Sequence, residues 1–271
     1  MPVPHVRFLT ASVLVFAAAC SGGSSPTAPA VTTTGISISG TTDMLRVQEN
    51  VTFTAVASRS DGSTQAVTEW ASDAPSVLSI NPSSGLATGL AAGQATITAR
   101  NGGVMATRLV RVVPHYQGAW SGRYVIVGCT STGDYLAFGW CGSIQGRELP
   151  FTLTLSQTRD TVDGTVSFGE YTGSVSGSMA LNGTLTISGV AVSGSSSLSI
   201  SSWSTNSATF GAMTGTFSQR STSTVLSGSA SHSAEIRSAT RGAGSVMHVG
   251  VSAPSRGPET VDAMLRRMFA R

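Results

Sequence analysis

Lysine does not occur anywhere in the 271 residues, and charged side chains of every kind make up only 11% of the chain. The sixteen cations are all arginine, and between residues 20 and 240 ten of them, scattered singly, face eleven acids. That body is close to neutral and lacks the clustered basic face with interleaved aromatics by which a protein grips a nucleic acid. Catalytic signatures are equally scarce: there is no G-x-S-x-G elbow, HExxH helix, P-loop, GxGxxG turn or EF-hand loop. Of the four histidines, His5 falls in the leader and His248 in the tail, while His115 and His232 stand in no motif. Asp134, Glu148, Glu170 and Glu235 supply carboxylates, but nothing in their spacing marks the pair a glycosidase needs. The chain is therefore expected to be no enzyme, to use no cofactor and to hold no metal.

Long amphipathic repeats are missing too, apart from Val261, Met264, Leu265 and Met268 near the C-terminus, which recur at helical spacing beside Arg266, Arg267 and Arg271. Fourteen residues are marginal as an isolated helix, so residues 241–271 read as a disordered tail that can carry a short amphipathic helix. What the sequence has in quantity is Ser, Thr, Val and 31 Gly. Thr and Val suit a pleated surface and Gly supplies the turns, so the predicted class is all-β.

Residues 1–19 place His5 and Arg7 ahead of an apolar run from Phe8 to Ala19, too short to span a bilayer as a mature helix, which reads as a secretory leader. Its end, Ala17-Ala18-Ala19-Cys20, resembles the lipobox of bacterial lipoproteins, with Ala17 in place of the usual Leu. The resemblance implies a signal peptide cut before Cys20, acylation of Cys20, and a membrane partner reached through the lipid. An ordinary A-x-A cleavage leaving Cys20 as a free thiol is the alternative. Residues 20–34 lack large apolar groups and form a tether; Ser21 rather than Asp after the Cys implies, by the lipoprotein resemblance, the outer membrane or the cell surface.

In residues 35–114, Val51, Phe53 and Ala55, then Ala95, Ile97 and Ala99, alternate with polar neighbours, and Asn101-Gly102-Gly103 turns the chain into a closing strand through Val113. This two-residue period with frequent turns predicts a β-sandwich. Trp70, Ser72, Pro75, Val77 and Ile80, followed by Gly85, Thr88, Gly93, Ala95, Ile97 and Ala99, resemble the bacterial Ig-like domain of group 2, found in intimin and invasin-type surface proteins. The resemblance implies a rigid spacer or an adhesive module, with Trp70 as a core anchor rather than a ligand contact.

Residues 115–240 open on Gly118, Trp120, Gly122 and Tyr124 and continue in short alternating runs such as Phe151, Leu153 and Leu155, with Asp163-Gly164 and Asn182-Gly183 as hairpin turns. About eight sequence-adjacent strands predict an up-and-down barrel or a rolled antiparallel sheet. The G-x-W-x-G-x-Y opening is similar to lipocalin-like (calycin) barrels. An interior lined by Phe151, Leu153, Leu155, Trp203, Met213 and Phe217 is then either filled by these side chains or open to one small hydrophobic ligand. Cys129 and Cys141, the other two cysteines, predict a disulfide in an exported domain. The loop they close carries Asp134, Tyr135, Phe138 and Trp140, read as a recognition surface; the alternative is that Phe138 and Trp140 belong to a strand packed on the core.

These readings combine into a lipid-anchored cell-envelope protein, in the outer membrane, in which the Ig-like unit holds the barrel away for binding or adhesion to a surface polysaccharide or protein. A lipocalin-like carrier is the alternative, and a hydrolase is a third.

Overall fold

The structure is a computed structural model and describes residues 29–209 and 211–242. The leader, Cys20, most of the tether and the tail helix lie outside the described residues.

The first ten strands are β1 (Thr33–Ser39), β2 (Met44–Arg46), β3 (Asn50–Thr52), β4 (Thr54–Arg59), β5 (Thr64–Ala66), β6 (Trp70–Ser72), β7 (Leu78–Ile80), β8 (Leu86–Gly89), β9 (Gly93–Asn101) and β10 (Val104–Val113). They hydrogen-bond in the orders β1-β4-β5, β2-β10-β9-β6 and β3-β8-β7. Alternation drives this packing: Ala95, Ile97 and Ala99 point inward from β9 onto Phe53, Ala55, Trp70 and Leu78. Trp70 is buried, as expected of an anchor. Strand β2 runs parallel to β10, pairing Met44 with Arg111 and Arg46 with Val113. The chain thus advances along β1 and β2 in the direction in which β10 delivers it to the second domain, and Thr33 lies at the opposite end of the sandwich.

Two short helices, α1 (Asp134–Ala137) and α2 (Trp140–Ile144), interrupt the remaining strands, which are β11 (Gly118–Ser131), β12 (Glu148–Thr158), β13 (Thr161–Phe168), β14 (Tyr171–Met179), β15 (Leu185–Ser193), β16 (Ser196–Thr209), β17 (Ala212–Ser223) and β18 (Ala230–Arg241). Each pairs antiparallel with the next, and β18 closes onto β11 to complete an eight-stranded barrel. The closed order is that of an up-and-down meander, which leaves no open edge.

The middle of the barrel is filled with rings. Trp203 stacks on Phe217 with centroids 4.6 Å apart, and Tyr124, Phe151 and Phe168 join them at 5.2–6.3 Å. These side chains occupy the space a hydrophobic ligand would take, so of the two sequence readings of the interior the filled one describes this core. Outward positions are mostly polar, as with Thr152, Thr154 and Ser156 on β12 and Thr172, Ser174 and Ser176 on β14, with Val127, Val190 and Val192 as exposed exceptions. Apolar inside and polar outside is the reverse of a barrel whose wall faces lipid.

One expected turn is corrected. Asn182-Gly183 does lie between β14 and β15, with Gly183 at φ 84°, but Asp163-Gly164 sits within β13. Gly164 faces inward between Val162 and Val166, and a Cβ there would stand 1.9 Å from the Thr154 carbonyl oxygen. Gly173 on β14 stands equally close to the Val190 carbonyl. Such inward glycines let neighbouring strands coil tightly around the ring cluster, so here Gly serves closure rather than a turn.

The two domains meet through a joint with little freedom. Gln157 accepts the Tyr116 N–H at 2.8 Å on its Oε1 and donates from its Nε2 to the Pro114 carbonyl at 3.0 Å. Tyr116 is fully buried, and its carbonyl receives the Trp120 indole N–H at 2.7 Å. From the sandwich, Arg111 pairs with Asp160 at 2.8 Å and donates to the Met179 carbonyl, while Arg46 donates to the Gln157 carbonyl. The connection from Pro114 to Gln117 is thus a hydrogen-bonded part of the barrel floor, not a linker.

Candidate functional site: the lidded end of the barrel

Strand β11 starts at the joint, so its far end, and with it the β11–β12 connection, stands at the mouth away from the sandwich. That connection folds into α1 and α2 and plugs the mouth. Tyr135, Trp140 and Ile144 are buried and form part of the barrel's single apolar cluster. Tyr135 meets Trp140 edge to face with centroids 5.3 Å apart. The predicted disulfide is present between Cys129 and Cys141, Cα atoms 5.5 Å apart, and ties α2 to β11.

Asp134 fastens the lid to the β17–β18 loop. Its Oδ2 accepts the Ser227 N–H at 2.7 Å and the Ser227 hydroxyl at 2.9 Å. These bonds, the backbone one foremost, hold its carboxyl below the ordinary value. The chains approach closely here: a Cβ on Gly133, at φ 59°, would lie 2.6 Å from the Ser227 carbonyl oxygen. Phe138 and Leu136 remain exposed on the outer face of the lid, with Val225 on the β17–β18 loop. The four loop residues singled out from the sequence therefore divide. Tyr135, expected on the surface, is a plug residue in the core; for Trp140 the core reading is the one that describes it; Asp134 is a structural clasp; Phe138 alone keeps an exposed ring.

Beneath the lid lies a polar layer that sequence reasoning missed. His232, on β18, faces inward, and its Nε2 accepts the Trp140 indole N–H at 3.1 Å. Burial alone pushes its imidazole down to about 4. Gln219 stands opposite His232 across β17 and β18 and lies against the Tyr124 hydroxyl. Burial raises the phenols of Tyr124 and Tyr135, and Ser221 faces the Tyr135 hydroxyl. A signal for this layer was available: Gln219, Ser221 and His232 sit on the inward register of strands whose other inward residues are apolar, such as Phe217 and Ala234.

The other carboxylates do not converge. Glu148 pairs with Arg123 and Glu235 with Arg237, all four partly exposed on the outer wall. Among the described residues no three His, Cys, Asp or Glu side chains come together as metal ligands, and no helix is long and apolar enough to cross a membrane.

Fold and site define a two-domain all-β protein, a sandwich fused without slack to a closed, lidded barrel. The bacterial Ig-like domain (group 2) matches residues 32–108, and this segment is such a domain. That match is consistent with a cell-envelope or surface protein. Solved structures that resemble parts of the chain include surface layer protein SbsC, domains 4-9, at 12% identity and TM-score 0.29, covering 75% of this chain and 31% of that one. The S-layer protein rSbsC(31-844) follows at 13% and 0.27, covering 73% and 38%. The chain spans about a third of the length of these structures, and overlap at this level does not define a shared fold. No curated protein matches the chain.

Proposed function

We propose that the chain is a non-catalytic cell-envelope lipoprotein, acylated at Cys20, whose Ig-like domain is a stiff spacer that presents the lidded end of the barrel for binding. The observation that carries this is the joint. A sandwich entered at one end and locked at the other by Gln157, Arg111 and Tyr116 transmits orientation, so the lid faces away from the anchored end. Free rotation between the domains would waste such an arrangement, because an interdomain contact normally slides unless it is tightly bonded. The exposed apolar group Leu136, Phe138 and Val225 lies at that outer end and is the contact surface in this reading. A surface polysaccharide or protein is the partner class, and the outer membrane the location.

The test uses the full chain expressed in an outer-membrane-forming host fed an alkyne fatty acid. Label on the wild type and none on Cys20→Ala supports the anchor. Retention of the purified chain on envelope preparations, lost in Leu136→Ser/Phe138→Ser with the fold intact, supports the lid as the contact; equal retention of the two forms refutes it. The carrier alternative has no support from an interior occupied by stacked rings.

A further inference from the structure

We infer that the cleft between the two domains is the docking site of a segment of this chain's own C-terminal tail, residues 246–251, which closes the cleft as a further brace on the joint. The cleft encloses about 460 Å³, a volume in the range of sites that hold a ligand. Val47, Leu90, Ala92 and Pro114 give it an apolar lining, and among the described residues no Asp, Glu or Arg forms its wall. Leu90 is 49% exposed there, a large apolar side chain left open beside a joint that is otherwise closely bonded. Covering it is favourable.

The path of the chain selects the occupant. Arg241, the last residue of β18, donates its N–H to the Gly211 carbonyl at 2.9 Å, and its guanidinium donates to the His115 carbonyl at 3.0 Å. Gly211 and His115 both line the cleft, so the chain leaves the barrel at the rim of the cleft. Residues 246–251, which lie outside the described residues, begin four positions beyond Gly242, at most about 14 Å away along a fully extended chain. They read Val246-Met247-His248-Val249-Gly250-Val251, which puts Met247, Val249 and Val251 on one face of an extended segment and includes no Arg, Asp or Glu. Charge disfavours the other apolar stretch of the tail. Val261, Met264, Leu265 and Met268 come with Arg266, Arg267 and Arg271, whereas Arg241 and Arg46 already act on His115 at the cleft. This docking depends neither on acylation of Cys20 nor on the lid as a contact surface.

The experiment places the photo-crosslinking residue p-benzoylphenylalanine at Leu90 of the full chain, irradiates it, and identifies linked peptides by mass spectrometry after denaturation and trypsin cleavage. Cuts after Arg241, Arg256 and Arg266 separate residues 242–256 from residues 257–266, so the two stretches of the tail are distinguished. The expected product is a link from position 90 to residues 242–256 whose yield is unchanged on roughly tenfold dilution, because the segment is tethered beside its site. The same probe at Phe138, at the lidded end, should give no such link. Met247→Asp/Val249→Asp should cut the yield at position 90 about tenfold and lower the Tm by roughly 5 °C, because two apolar side chains that the cleft covers become charged. A link to residues 257–266 instead, a yield that falls with dilution as contact between two copies would, or no link to the tail overturns the proposal, as does an unchanged yield in the double Asp variant.

Discussion

Acidification should loosen the barrel through His232. The ring is buried, accepts a hydrogen bond on Nε2, and binds a proton only near pH 4, against 6.5 for an ordinary histidine. As the pH falls below 6.5 the unfolded chain takes up a proton that the folded chain refuses, so stability falls; below about 4 both states are protonated and the loss levels off. Linkage then gives a cost of about 2 kcal/mol at pH 5 and about 3 kcal/mol at pH 4. For a domain of this size about 2 kcal/mol corresponds to roughly 8 °C in Tm. The groups packed on the ring are neutral: Trp140 from α2, Gln219 from β17 and the half-cystine Cys129 from β11. His115 at the joint is also held low, chiefly by burial, and adds a loss of the same sign, whereas Asp134 is held low as an acid and loses its contribution only below its ordinary 3.8. The assay is urea unfolding monitored by tryptophan fluorescence at pH 7, 6, 5 and 4, on the wild type and on His232→Gln, which stays neutral and can still accept from the Trp140 indole. The variant should lose about 2 kcal/mol less than the wild type between pH 7 and 5. Parallel curves for the two proteins would refute the reasoning and return the acid sensitivity to His115.

Removing the disulfide with Cys129→Ser/Cys141→Ser should cost about 3 kcal/mol by loop-closure entropy and free the lid, visible as a shift and quenching of Trp140 emission. Gln157→Ala leaves the Tyr116 N–H and the Pro114 carbonyl unpaired in the joint and should cost about 2–4 kcal/mol while making residues 114–117 a site of protease cleavage, read by limited proteolysis. Trp203→Ala opens the ring cluster and should cost about 3–5 kcal/mol in denaturant unfolding. Gly173→Ala should fail to give a folded barrel by circular dichroism, because its Cβ would stand 1.9 Å from the Val190 carbonyl oxygen.

Comparison of particular elements explains where sequence reasoning succeeds. The inward sets Phe151, Leu153, Leu155 and Ile97, Ala99 were legible because alternation is local and a strand's period is two. The Ig-like segment was legible because its residues recur at fixed spacing, and the match to residues 32–108 bears it out. The disulfide was legible from two cysteines in a chain that reads as exported. Asp163-Gly164 misled because a dipeptide that suits a turn also suits a tightly coiled strand, and only the neighbouring strand's carbonyl tells the two apart. The β11–β12 connection misled because a short helical lid has no period long enough to assign an inner face, so Tyr135 and Trp140 read as well outward as inward.

The sequence by itself thus determined the strands, their order along the chain, the Ig-like domain and the cross-link, all properties of residues near one another in the chain. Closure of β18 onto β11, the burial of Gln157 in the joint and the docking of the lid were decided by tertiary structure alone. In a chain whose polar residues are mostly Ser and Thr, either face of a strand can be buried at small cost. The choice of face is made only when strands far apart in sequence meet around one core.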